Sequence, residues 1–336
     1  MEVTFYEDPA CSWCWAFQPV STAFAFEFRN VVKPRFVMGG LRDRPTVDVD
    51  FVVQQWKKAE AVSGMPFDCG IWKKHVLRTT FIACRAVKAA AMIHEDAAHR
   101  LLRRIREALY VEQTPVDDQE AILALALEIG LDTEGLRENL ASGRAETLFA
   151  RDRMEASQYG FGFPTIVLKC GHSDPPIVLQ GAVPYSDLLQ ALSSMGVSPR
   201  ERRRFRDTRE SWVSLFQIHP RLTLAEIHMV TGLEKTKLTA RLNDLGIHQC
   251  GPLYSLGDKG RKDAPGPAAQ GARPAARPKV PSPDVESSRD GKKSPAGPQV
   301  PVSLAGSSPA APSPAAGGSA GRPTPARGEV ASGNSA

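Results

Sequence analysis

No run of apolar residues in this 336-residue chain is long enough to cross a bilayer as a helix, so a membrane-spanning role is not expected. Met1 is followed at once by Glu2 and a strand-like Val3-Thr4-Phe5-Tyr6, with no basic leader and no apolar signal core. That predicts a chain without a secretory signal, at work in the cytoplasm. Six cysteines are too few for a disulfide scaffold of this length. Cys69, Cys84, Cys170 and Cys250 stand singly, and no second Cys-x-x-Cys or His-x-His cluster accompanies Cys11 and Cys14. Zinc would need that second pair, so neither a metal nor an organic cofactor is expected. The net charge of +5 is too mild to imply nucleic acid on its own. Residues 258–336 have no aromatic residue, no Ile or Met, and Leu304 as their only Leu. Such a Pro/Ala/Gly/Ser-rich stretch buries too little apolar surface to offset its ordering entropy, and it is predicted to be a disordered tail.

What is present begins with Glu7-Asp8-Pro9-Ala10-Cys11-Ser12-Trp13-Cys14-Trp15. A strand leads into this stretch and an apolar helical run, Trp15 to Phe28, leads out. Cys11 then lies at a helix N-terminus, where unpaired N–H groups favour a thiolate. Cys14, one turn on, faces the same side and can resolve a mixed disulfide. Half of a metal site and a short structural staple are the bland alternatives; so short a loop removes little entropy from the unfolded chain. Pro19 lacks an N–H and predicts a kink. Glu7 and Asp8 read as loop surface, or as a carboxylate able to relay a proton near the cysteines.

A second strand is expected in Val31 to Met38, ending at Gly39-Gly40. Strand, helix, strand argues for a parallel α/β unit. From Asp48 to Tyr159 the pattern turns helical, with segments over 51–62, 71–77, 79–93, 97–110, 117–129, 134–140 and 144–159, and with Asp132 as a cap. The sheet resumes after Gly162-Phe163-Pro164-Thr165 with Ile166–Leu168 and Ile177–Gly181, an antiparallel hairpin, and a helix over 184–195 closes it. This order is a thioredoxin fold with a helical insertion.

At this point the chain resembles the DsbA-like family of thioredoxin-fold proteins. It is most similar to the predicted protein-disulfide isomerase branch, the FrnE-like dithiol–disulfide isomerases. The residues that carry the likeness are Asp8-Pro9-Ala10-Cys11-Ser12-Trp13-Cys14-Trp15, Gly39-Gly40-Leu41, Gly64-Met65-Pro66-Phe67-Asp68, Ala83-Cys84-Arg85-Ala86-Val87, Ala108-Leu109-Tyr110-Val111-Glu112 and Gly162-Phe163-Pro164-Thr165. Arg78-Thr79-Thr80-Phe81 departs from the acidic Thr-Glu-Pro type usual for that branch. The resemblance implies thiol–disulfide exchange on protein or peptide disulfides, with glutathione as a further thiol partner. Cys11 would be the nucleophile and Cys14 the resolving thiol of a redox-active disulfide. Pro164 would be a cis-proline facing the pair, with Trp13, Phe163 and Pro164 against the substrate. Trp15 would serve the core, and Cys84 would be a small buried hydrophobe on an alanine-rich helix.

Residues 198–257 form a further segment. It opens on a basic run, Arg200, Arg202, Arg203, Arg204, Arg206 and Arg209, and continues as helix, helix, turn, helix over 235–245 and two short strands around Gly251-Pro252. This resembles a small winged helix with Lys235, Thr236, Lys237, Thr239 and Arg241 on its second paired helix. The domain reading is therefore 1–197 with an insertion over about 48–160, then 198–257, then the tail over 258–336. Three alternatives to an oxidoreductase remain at this stage. One is a non-catalytic adaptor of the kind that delivers substrates to a protease. Another is a redox-linked regulator binding DNA through residues 200–256. The last is a glutathione-conjugating enzyme, which needs no Cys14.

Overall fold

The computed structural model describes residues 1–44, 46–160, 162–171 and 175–256, and the expected tail over 258–336 lies outside the described residues. Its central strand is Glu2–Glu7 (β1), buried along all but its first residue. A strand covered on both faces has no polar alternation, as Val3-Thr4-Phe5-Tyr6 shows. β1 runs parallel to Arg35–Met38 (β2), placing Phe5 beside Phe36. It runs antiparallel to Thr165–Lys169 (β3), which in turn pairs antiparallel with Ile177–Gln180 (β4), giving the order β2-β1-β3-β4.

Helices Ser12–Ala16 (α1) and Gln18–Phe28 (α2) are nearly continuous and part at Phe17, with Pro19 in the first turn of α2. The predicted kink thus takes the form of a break, because Pro19 has no N–H to give to the preceding turn. The insertion comprises Val49–Ser63 (α3), Ile71–Lys74 (α4), Phe81–Ile93 (α5), Glu95–Tyr110 (α6), Gln119–Glu128 (α7), Thr133–Ala141 (α8) and Arg144–Ser157 (α9). Asp48, Asp118 and Asp132 cap α3, α7 and α8 by accepting from Phe51, Ala121 and Gly135 N–H groups, which satisfies otherwise unpaired donors. Tyr185–Ser194 (α10) covers the sheet on the side of α2, enclosing Val3, Phe5, Phe24, Ile166, Leu188 and Leu192. The opposite face holds Tyr6, Cys11, Cys14, Val37 and Phe163, with Ala156 of α9.

The last part consists of Arg209–Phe216 (α11), Arg221–Thr223 (β5), Leu224–Thr231 (α12), Lys235–Asp244 (α13), Ile247–Cys250 (β6) and Leu253–Leu256 (β7). The three strands form an antiparallel sheet in the order β5-β7-β6. β5 was not expected; it is only three residues long, and Thr223 ends it by capping α12 in a reciprocal box with Glu226. These elements share a core with α2: Ala23 and Phe26 pack with Trp212, Leu222, Ile227 and Leu238. Every residue of α2 except Ala25 is buried, because the helix is covered from the sheet on one side and by 209–256 on the other. Among the described residues no helix is long and apolar enough to cross a membrane.

Candidate functional site

Cys11 sits where β1 has ended and α1 begins, with extended backbone, and its carbonyl accepts from the N–H groups of Cys14 and Trp15, both at 3.1 Å. Both cysteines are free thiols. The Cys11 Sγ–H donates to the Phe163 carbonyl at 3.5 Å, and the Phe163–Pro164 bond is cis. Cys11 is 4% exposed and Cys14 is fully buried behind it. A cleft of about 470 Å³ opens over Cys11, lined by Trp13, Phe51, Trp56, Trp72 and Phe163, with Arg42 and Arg44 at its edge. Trp13 and Phe163 therefore face the cleft, whereas Pro164 acts through its neighbour's carbonyl and accepts from Gly181 N–H at 2.8 Å. Trp15 is not part of the rim: it is fully buried, its indole donates to Pro66 O at 2.9 Å, and its ring stacks on Tyr110.

Gly39 shows how tightly the Phe163 ring is held. A Cβ there would stand 1.9 Å from Phe163 Cζ, so only glycine leaves room for the ring beside the cysteines.

Glu7 and Asp8, expected at the surface, are buried. Asp8 folds its own loop, accepting from Ala10 N–H at 2.8 Å in an Asx turn. It also accepts from Leu41 N–H, Thr80 Oγ1 and the Cys84 thiol at 2.7, 2.6 and 3.4 Å. One carboxylate thereby pins the Cys11 turn to the Gly39-Gly40-Leu41 loop and to the start of α5. Burial raises its pKa against the pull of these donors. Cys84 is buried as expected, and its thiol is pushed well up by burial and then by Asp8.

Glu7 pairs with Arg106 of α6 at 2.8 Å, both almost fully buried. Arg106 also donates to Asp8 O at 3.3 Å and to Gln18 Oε1 at 3.2 Å. Burial drives the Cys14 thiol well up; the Cys11 sulfur and Glu7 add to this, and Arg106 opposes it. Tyr110 packs between Trp15, Trp56 and Phe67, and its hydroxyl has no partner among the described residues. Its pKa is raised by burial and then by Cys11. Among the described residues no group of His, Cys, Asp or Glu is placed to hold a metal ion.

The sequence model of the thioredoxin family matches residues 5–189, more than half of the chain. The chain belongs to the thioredoxin family. In this chain α3–α9 are inserted between β2 and β3 of the thioredoxin fold. Two relatives are the ClpXP adapter proteins SpxH of Halalkalibacterium halodurans and Shouchella clausii. The first is 25% identical over 214 residues, covering 60% of this chain and 70% of the relative. The second is 25% identical over 267 residues, covering 74% and 83%. Among solved structures, a Nitrosomonas europaea protein described as a candidate protein disulfide isomerase shares the fold, with a TM-score of 0.52 and 24% identity over 57% of this chain and 95% of that one.

In this thioredoxin-family chain the structure brings Cys11, Cys14 and the cis Phe163–Pro164 turn together. It places Glu7 beneath the surface, where a loop position is one of its two sequence readings, and adds Arg106, to which sequence reasoning gives no role. Arg103, Arg104 and Arg106 of α6 are all buried. The basic run before α11 is likewise partly occupied: Arg202 pairs with Glu27, and Arg203 lies over the Phe26 ring at 4.7 Å. On α13, Lys235, Thr236, Lys237 and Thr239 are exposed, while Arg241 pairs with Asp207 at 3.0 Å.

Proposed function

We propose that this chain is a cytoplasmic thiol–disulfide oxidoreductase or isomerase acting on protein disulfides through Cys11 and Cys14. The observation that carries the reading is the Cys11 sulfur, 3.5 Å from the Phe163 carbonyl at the floor of an open cleft, with Cys14 closed off behind it. A substrate disulfide entering the cleft as an extended segment meets main-chain groups of the Phe163 turn, which add it as a strand. The Cys11 thiolate attacks one substrate sulfur; that S–S bond breaks as the mixed disulfide forms, and the departing thiolate takes a proton. Cys14 gives up its proton and attacks the Cys11 sulfur. The second substrate thiol leaves, two electrons have passed to the substrate, and two equivalents of an external thiol such as glutathione restore the dithiol as they become a disulfide. In reverse the same steps oxidise or isomerise. Trp13 and Phe163 supply apolar contact to unfolded chains.

A second reading is favoured by one observation. The match to the Shouchella clausii ClpXP adapter protein SpxH covers 74% of this chain, beyond the span of the thioredoxin-family match. In that reading residues 1–197 hold a client, and 198–257, read as a winged helix followed by a tail over 258–336, serve as an interaction module toward ClpXP; the cysteines then act as a sensor. Nucleic acid contact through 200–256 is the weaker use of that module, since Arg202, Arg203 and Arg241 are engaged within the chain.

Insulin reduction separates the two readings. Cys11→Ser abolishes turnover, and Cys14→Ser leaves a trapped mixed disulfide without turnover. Turnover that persists in Cys11→Ser refutes the catalytic reading; a wild-type chain without turnover that still binds ClpXP favours the adaptor.

A further inference from the structure

Behind the cysteine pair, on the far side of α2 and α6, lies a second cavity of about 580 Å³, closed on its third side by residues 218–221. Its volume falls in the range of small-molecule sites. Part of its lining is apolar, from Val32, Phe36, Leu102 and Ile218. The rest is polar, with seven cations, Arg29, Arg100, Arg106 and Arg221 among them, against three carboxylates, Asp96, Glu107 and Glu128. Glu128 is paired with Arg104, and Glu107 with Arg103 and Arg221; Asp96 is the one lining carboxylate without a cation partner among the described residues. Arg29 and Arg100 have no carboxylate partner among the described residues, although Arg100 donates to the Ile129 carbonyl. Ala25, the one residue of α2 that is not buried, stands on the wall as well.

The tautomer of His219 adds a donor. Gln18 Oε1 accepts from Arg106, which fixes the amide so that its NH₂ faces His219 Nε2 at 3.2 Å. The histidine nitrogen must therefore accept, and the ring proton sits on Nδ1. That N–H has no partner among the described residues, and His219 lines the cavity.

The geometry points to a binding site for a small organic anion with an apolar body, an aromatic or acyl frame bearing a carboxylate, sulfonate or phosphate. The frame would lie on Phe36, Leu102 and Ile218, and the anionic group would face Arg29, Arg100 and the Nδ1–H of His219. Inorganic phosphate alone leaves the apolar wall uncovered; an uncharged frame leaves the cations unanswered. This inference stands apart from the cysteine chemistry.

Fluorescence titration of the full chain with 8-anilinonaphthalene-1-sulfonate, against N-phenyl-1-naphthylamine as its uncharged counterpart, tests it. The sulfonate binds at one equivalent, at least about ten-fold more tightly than the neutral amine. Reversing the rim with Arg29→Glu and Arg100→Glu together weakens the sulfonate by about ten-fold or more and leaves the amine unchanged. Ala25→Trp, which plugs the wall, abolishes binding of both. Melting temperatures within about 2 °C of wild type show that the variants are folded. Equal affinity for the two probes, indifference to the rim reversal, or binding that survives Ala25→Trp in a folded chain overturns the site.

Discussion

Arg103 and Arg106 leave α6 one turn apart, and both are buried, yet they end in different surroundings. Arg103 is fully answered. It meets Glu107 at 2.7 Å and Glu226 at 2.7 and 3.0 Å, donates to the Arg221 carbonyl, and lies over the Trp15 ring. Glu226 in turn accepts from Thr22 of α2 at 2.8 Å and from the Thr223 N–H at 2.8 Å. This is a closed network that joins α2, α6 and the last sheet. Arg106 has one carboxylate, Glu7, and its Nε has no partner among the described residues. It faces the Cys14 thiol, a group that can change charge. A fully satisfied network holds a seam in place, whereas a thinly satisfied one leaves a charge able to respond to its neighbour.

The comparison breaks most visibly at the seam. Glu226→Leu leaves Arg103 with one carboxylate in a site sealed from water, and stability falls by roughly 3–5 kcal/mol in urea unfolding. Glu7→Gln, at the other end, costs less, about 1–3 kcal/mol, because the amide still accepts from Arg106. Its larger signature is chemical. With the carboxylate gone and the guanidinium kept, the Cys14 thiol moves down, and alkylation of the pair followed against pH shifts toward acid.

The smallest effect is a pH slope. His219 faces Arg103, Arg106 and His99, and burial and then these neighbours hold its pKa well below 6.5. His99 is lowered too, by burial. Unfolding releases such a ring to take up a proton, so its share of stability is intact above pH 6.5 and is lost as pH falls from there toward the folded value. The slope reaches at most about 1.4 kcal/mol per pH unit for one proton. Asp8 and Asp152, both raised by burial, act with the opposite sign as they protonate at lower pH. Urea midpoints measured between neutral and mildly acid pH fall in the wild type and fall less steeply in His219→Asn.

Much of this was legible before the structure because it is local. Cys11 and Cys14, the Asp132 cap, the break near Pro19 and the strands around Gly251-Pro252 are each set by a few consecutive residues. The burial of Glu7 and Arg106 was not legible, because each is buried by virtue of the other, one at the end of β1 and the other on α6 within the insertion. A lone arginine on a helix reads as solvated unless its partner is known. One overlooked signal was in plain view: Gln18-Pro19-Val20-Ser21-Thr22-Ala23-Phe24-Ala25-Phe26 has no charged face, and a helix apolar all round is covered all round. That pattern announced that something besides the sheet must pack on α2.

The bonds from Glu7 to Arg106, Arg106 to Gln18, and Gln18 to His219 form one unbroken string from the carboxylate whose charge acts on the Cys14 thiol to the wall of the second cavity. A proton arriving on His219 Nε2 would confront the Gln18 NH₂ and turn that amide over, taking from Arg106 the oxygen it holds. Thiol reactivity at the front would then register an event at an imidazole that never touches sulfur, so a buffer change ascribed to the cysteines alone would in part be reporting on the back wall.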